Sequence, residues 1–442
     1  MQVDLPRRWR WALGAGCAFV VGLAVLFVVA ARSVEAPRTL DAAAAVPIEE
    51  TVAMEQAPAV ELRAPLAAMA DVRGADEVQV CGGAWVRTLP DGSLDPAAFA
   101  RAAHLPETIA RVRARLSASP DEFARAVALA LEMFGIDDEQ RSAASSDVAG
   151  GQATPRPNTG VATARDALAR MAAATGSAKV YALAFKACGS GSVRAGACQL
   201  ISAEQWARLD PTNAMPWQFL LASARTDRAA LEEALFRIAS AQRSDIGYFD
   251  AAGAILAAMP DGDDAKLARW AMASAALGIE ATVALPPLQV VTAACRGDAL
   301  RDANRGQTCA GVAESLSERS DTLIGRAIGV AVGRQIGWPA ERSDRMRGEY
   351  DAYVSSMAPA VEQAEDLGCA RVQRDLDSVQ RHARLGEIGS LREWVAQSGR
   401  TSEEFIREHR ARQQAREAEG EAARREAAAS AAAATPIDVA AR

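Results

Sequence analysis

Cysteine is the residue whose type and spacing carry the plainest chemistry in this chain. Of seven cysteines, Cys17 sits in an apolar N-terminal stretch and six follow it: Cys81, Cys188, Cys198, Cys295, Cys309 and Cys369. Two pairs are close in the chain, Cys188 with Cys198 and Cys295 with Cys309, separated by Gly-rich or polar spans. An even number of thiols at such spacings points to oxidation, each local bridge stapling a helix-to-helix turn. Closing loops of this size restricts the unfolded chain by about 3 kcal/mol apiece in the entropic account. Cys81 and Cys369 remain, and their pairing would clasp the two ends of the folded body. Metal ligation is the competing chemistry. No CxxC occurs, and His104, His382 and His409 lie far from any cysteine at ligand spacing, so neither a metal nor a cofactor is expected.

Other catalytic signatures are sparse. The chain has no HExxH, no GxSxG, no Ser-x-x-Lys, no GxxxxGK and no GxGxxG after a strand. Asp261-Gly-Asp-Asp264 has the start of a calcium loop, but Met272 stands where the bidentate Glu belongs, so it reads as a turn and helix start. Glu314-Ser315 in a helical context resembles lytic transglycosylases, exported helical enzymes with a Glu general acid. That resemblance implies a hydrolase acting on peptidoglycan, the alternative reading here; the Gly-Leu-Met-Gln segment that normally follows is missing.

The elements that would position these residues begin with an address. Trp11 to Ala31 is uncharged and apolar, and Arg7, Arg8 and Arg10 precede it. A membrane crossing needs about 20 apolar residues of helix, and flanking arginines stay on the cytoplasmic side. The expectation is a cytoplasmic segment over 1–10, an inner-membrane anchor over 11–31, and a body in the periplasm. A cleaved signal peptide is the alternative, with a shorter apolar core of about 7 to 15 residues. Residues 32–62, rich in Ala, Pro and Glu, read as a flexible exported linker.

Half of the 442 residues are apolar and only 5% aromatic, with abundant alanine, which favours helices. The net charge of −7 argues against a nucleic-acid partner. The one extended segment expected is Val78 to Val86. Helices are expected around 161–174, 178–188, 213–226, 228–242, 247–259, 263–278, 307–318, 321–337 and 369–384, from their 3.6-residue apolar period. Ser119-Pro-Asp-Glu122, Ser202-Ala-Glu-Gln205 and Thr401-Ser-Glu-Glu404 read as capping boxes. Residues 63–144 form an N-terminal helical block, 145–160 a mobile loop, and 161–398 a second block. Past Gly399 the mixed charge without an apolar stripe reads as a solvated, partly helical tail over 399–442.

Leu209 to Ala241 resembles a tetratricopeptide unit. The resemblance rests on Asp210-Pro211-x-Asn213, on Trp217 and Leu220 in a first helix, and on Ala234, Ile238 and Ala241 in a second. It implies stacked helical hairpins with Trp217 packed between them, and a groove for a protein partner in which Gln218 and Arg225 are the contact candidates. Gly325, Gly329, Gly333 and Gly337 recur every fourth residue, and line one face of a helix where another backbone packs close, with Arg326 exposed beside them. Taken together, the expected fold is all-α, an irregular array of helical hairpins after one transmembrane helix. The expected role is a scaffold or adaptor binding an envelope protein, with a structural spacer as a further alternative.

Overall fold

A computed structural model describes residues 77–89, 94–135, 159–189, 195–224, 226–260, 265–281, 288–362 and 368–433. The anchor and linker segments, the acidic cluster at 261–264, Arg225 and nearly all of the 145–160 loop lie outside them. Among the described residues no helix is long and apolar enough to cross a membrane. These residues are overwhelmingly helical, and the fold is all-α.

The chain enters through a small antiparallel hairpin, β1 (Glu77–Gln79) and β2 (Trp85–Arg87), in which Val78 faces Val86. Gly82 and Gly83 turn it with φ of +92° and +78°, a region open to glycine. Five helices follow: α1 (Pro96–Ala102), α2 (Leu105–Ser117), α3 (Glu122–Gly135), α4 (Thr159–Ala174) and α5 (Ala178–Cys188). They share a core with α6 (Ala203–Leu209), α9 (Asp250–Ala257), α10 (Lys266–Ala281) and the first part of α15 (Cys369–Gln397). Phe185, Trp206 and Phe219 stack inside it, with neighbouring centroids 4.9 to 6.1 Å apart.

A second core joins α7 (Ala214–Ser223) and α8 (Arg228–Ser240) to α11 (Leu288–Ala294), α12 (Ala303–Arg319) and α13 (Leu323–Gln335). A third and smaller one gathers α14 (Ala340–Glu362), the end of α15 and α16 (Ser402–Ala433) around Tyr353, Leu391 and Phe405.

Capping follows the sequence unevenly. Thr401 and Glu404 make the full reciprocal box, Glu404 N–H to Thr401 Oγ1 at 3.3 Å and Thr401 N–H to Glu404 Oε2 at 2.7 Å. Ser202 makes its half, accepting from Gln205 N–H at 3.2 Å. The expected Ser119 box is displaced, because Asp121 accepts from Phe123 and Ala124 N–H and α3 starts at Glu122.

The tail is also corrected. Its first turns belong to the body: Phe405 and His409 are buried, and Arg412 donates to Ser355 O at 3.2 Å. Only beyond Arg412 does α16 become the solvated rod that its charge pattern implies.

Candidate functional site: a buried polar junction and the outer face of α8

The six body cysteines are joined as Cys188–Cys198, Cys295–Cys309 and Cys81–Cys369, the last spanning 288 residues. The two local bridges sit at α5 with the following turn, and at α11 with α12. Cys81–Cys369 fixes the entry hairpin to the start of α15.

The tetratricopeptide-like residues form a helical hairpin. Ala234 and Ile238 of α8 are buried, as is Ala241 just past its end, and Ala234 and Ile238 let α7 and α12 approach. Trp217 is partly buried against the same core beneath the Arg237 guanidinium, 5.5 Å from the ring centroid, and Leu220 is half-buried. Gln218 is a correction. It is 2% exposed and donates to Ser244 Oγ at 3.1 Å, so it is an interior residue and not a partner contact. The apolar period could not tell it from an outward polar position. Its outward counterparts lie on α8, where Phe236 is 55% exposed between Glu233, Arg237 and an open groove toward Asp302 and Arg305.

The glycine face divides. A Cβ on Gly329 would lie 2.8 Å from the Leu316 carbonyl carbon and collide with the Ser317 backbone, so α12 and α13 touch there. Gly325 abuts Ser320 and Gly333 abuts the Trp338 ring. Gly337 is a correction: α13 ends at Gln335, and Gly337 turns the chain out of it at φ +84°. Arg326 is a second one, buried at 8% exposure, donating to the Ser320 and Glu318 carbonyls and pairing with Glu349 at 3.5 Å. A lone arginine in a Gly/Val run reads as a solvated face, and nothing local announces carbonyl acceptors six and eight residues back in the chain.

Glu314 lies on the exposed side of α12, paired with Arg342 at 3.3 Å, and lines neither the groove beside α8 nor the cavity beside Lys186.

The densest polar chemistry lies where the three cores meet, on the segment between α8 and α9. Its backbone pairs in parallel with Asn213 through Arg243 and with Ser320 through Ser244. Asn213 Oδ1 accepts from Met215 and Asp245 N–H at 3.0 Å each, and Nδ2 donates to Asp210 Oδ2 at 2.9 Å. Arg243 bridges Asp210 at 2.7 Å and Asp245 at 3.2 Å.

Beyond it the chain is held in left-handed backbone at Gly247 (φ +66°) and Phe249 (φ +68°), costly for a phenylalanine. Two buried groups hold it. Lys186 Nζ donates to the Ile246 and Gly247 carbonyls at 3.1 and 3.3 Å, while Glu280 accepts from Phe249 and Ala251 N–H at 2.8 and 3.1 Å. Burial pushes Lys186 down and Glu280 up, each toward its neutral form.

A small cavity of about 60 Å³ opens beside this segment, lined by Lys179, Lys186, Trp206, Asp245 and Asp250 among others. Its lining mixes charged side chains with a larger apolar share, and it has room for a few waters. The Trp206 indole N–H, buried without a hydrogen-bond partner in the protein, is suited to donate to one.

On the opposite side of the segment, α15 breaks at Gly386 (φ +71°). His382, one turn before the break, is kept neutral by burial, with Nδ1 at 2.7 Å from the Ser378 carbonyl. That carbonyl can only accept, so Nδ1 carries the proton. Sequence reading missed this junction because its members come from α5, α9, α10, α15 and the segments between helices, with no shared motif.

Comparison with protein families, with curated proteins and with solved structures finds no match to this chain.

Proposed function

We propose that this protein is an exported helical adaptor, held at the inner membrane by its N-terminal apolar stretch and binding a protein of the cell envelope. The observation that carries the proposal is the complete pairing of the six body cysteines, one bond closing nearly the whole body. Thiols persist as disulfides in oxidising compartments, and reducing ones keep them apart. The arginine-flanked apolar stretch supplies a matching route out of the cytoplasm.

For the partner surface, the outer face of α8 is the best supported. An aromatic ring exposed among ion pairs has the make-up of an interaction hot spot, and the helix beneath is locked by the second core. Two measurements test the proposal. Alkaline phosphatase fused after about residue 60 is expected to be active, as a periplasmic body requires. Photoreactive residues at Phe236 and Glu233 in intact cells are expected to capture one envelope protein that a photoreactive residue at Arg101, exposed on α1, does not. Inactive fusions would overturn the export, and indiscriminate or absent capture the adaptor role.

A further inference from the structure

At the break in α15, two helix N-termini are capped by each other's carboxyls. Leu323 N–H, opening α13, donates to Glu387 Oε2 at 3.2 Å. Glu387 N–H, opening the second half of α15, donates to the Asp321 carboxyl, and Ile388 N–H reaches the Asp321 carbonyl at 3.4 Å. Gly386 makes the exchange possible, since any Cβ there would occupy the space of the Asp321 carboxyl. Asp321 is in turn fastened to the central segment, its N–H donating to Ser244 O at 3.0 Å.

The charges around the pair are unbalanced. The central segment brings Asp245 and Tyr248 and α9 brings Asp250, while Tyr350 approaches from α14. Glu280 of α10 faces Tyr248 and Lys186 of α5, which is engaged with the carbonyls described above. Arg326 of α13 is the cation whose charge acts on Asp321, and it is shared with Glu349 of α14, which also holds Arg392 at 3.2 Å.

We propose that Asp321 and Glu387 form a proton-held joint. With both carboxyls protonated, α13 and the second half of α15 stay docked. With both ionised, the joint opens at Gly386 and loosens the block of α14, α15 and α16. A protonated carboxyl keeps an oxygen to accept the opposing N–H, so protonation removes the repulsion and keeps the caps.

The direction of the pH effect follows from burial, which raises Asp321 and Glu387 from 3.8 and 4.5 to about 7. The closed form holds these protons more tightly than the open one. Its advantage is therefore full below the ordinary values and is lost as pH rises through about 7. His382 and His409, both lowered by burial, act oppositely but only below their ordinary 6.5. Above that value the histidines drop out, and substitutions at the pair itself separate it from Glu280 and Lys186, which burial also shifts.

The test is hydrogen exchange of the full chain in detergent micelles at about pH 6.5 and about pH 8.5, with rates corrected for base catalysis. Protection over 387–397 and at the start of α13 is expected to fall about tenfold, with α2 and α3 unchanged, as linkage to a group titrating near 7 requires. Glu387→Gln should weaken the pH dependence, and Asp321→Asn combined with it should abolish it while keeping the protection. Equal wild-type protection at both pH values overturns the joint, as does a pH dependence as large in Glu387→Gln as in the wild type. The wild-type comparison stands even where the double variant does not fold. The joint does not rest on the adaptor reading, since purified protein suffices to test it.

Discussion

Gly329 and Gly420 show how differently one residue type acts in two helices. At Gly329 the α12 backbone fills the space of a side chain, so Gly329→Ala is expected to cost about 1–3 kcal/mol by overpacking. At Gly420, on the exposed part of α16, the nearest atom to an added Cβ is a mobile arginine nitrogen 3.7 Å away. There Gly420→Ala should be neutral or stabilising by up to about 1 kcal/mol, through helix propensity alone. Thermal denaturation of the two variants checks both signs, and equal destabilisation would count against the close contact. The four-residue glycine spacing was legible as a packed face. Its end at Gln335 and the burial of Arg326 were not, because both depend on what the chain does after the helix stops.

At the scale of elements, α16 separates sequence signal from tertiary context. Its mean apolar content is low, yet Phe405 is 2% exposed and anchors it on α14. Phe405→Ala is expected to destabilise by about 3–5 kcal/mol if its site cannot collapse, whereas truncation just after Gln414 should cost little. Chemical denaturation of the two variants distinguishes an anchored helix from a wholly solvated tail. The reading at 178–188 coincides with α5, and 369–384 stops two residues short of the Gly386 break. In contrast α14 gave no apolar stripe, since its buried face carries Ser343, Asp351 and Ser355. Apolar periodicity reports only helices that bury apolar faces. The junction was illegible for a related reason: charged residues such as Lys186, Glu280 and Glu387 look solvated wherever the chain is viewed one segment at a time.

Across the whole molecule the disulfides differ in reach. Their separations are 10, 14 and 288 residues. Loop-closure entropy grows with the logarithm of loop length, so replacing both cysteines of Cys81–Cys369 by serine should lower stability more than replacing Cys188 and Cys198, by about 3 kcal/mol in that account. Urea unfolding of the two variants under oxidising conditions gives the comparison. A larger loss from the short loop would mean that the long one carries strain or constrains little.

The same long bridge sets a mechanical path. A pull at the N-terminal end of the body reaches Cys81 within a few residues of the first strand and passes straight into α15 at Cys369. The 288 residues of separation between them bear none of that tension and cannot be drawn out while the bond holds. At about 3.5 Å per residue, on the order of 1000 Å of contour is withheld. Stretched between its ends, the oxidised protein would yield only through α15 and α16, and reduction of one covalent bond would convert a short tether into a long one.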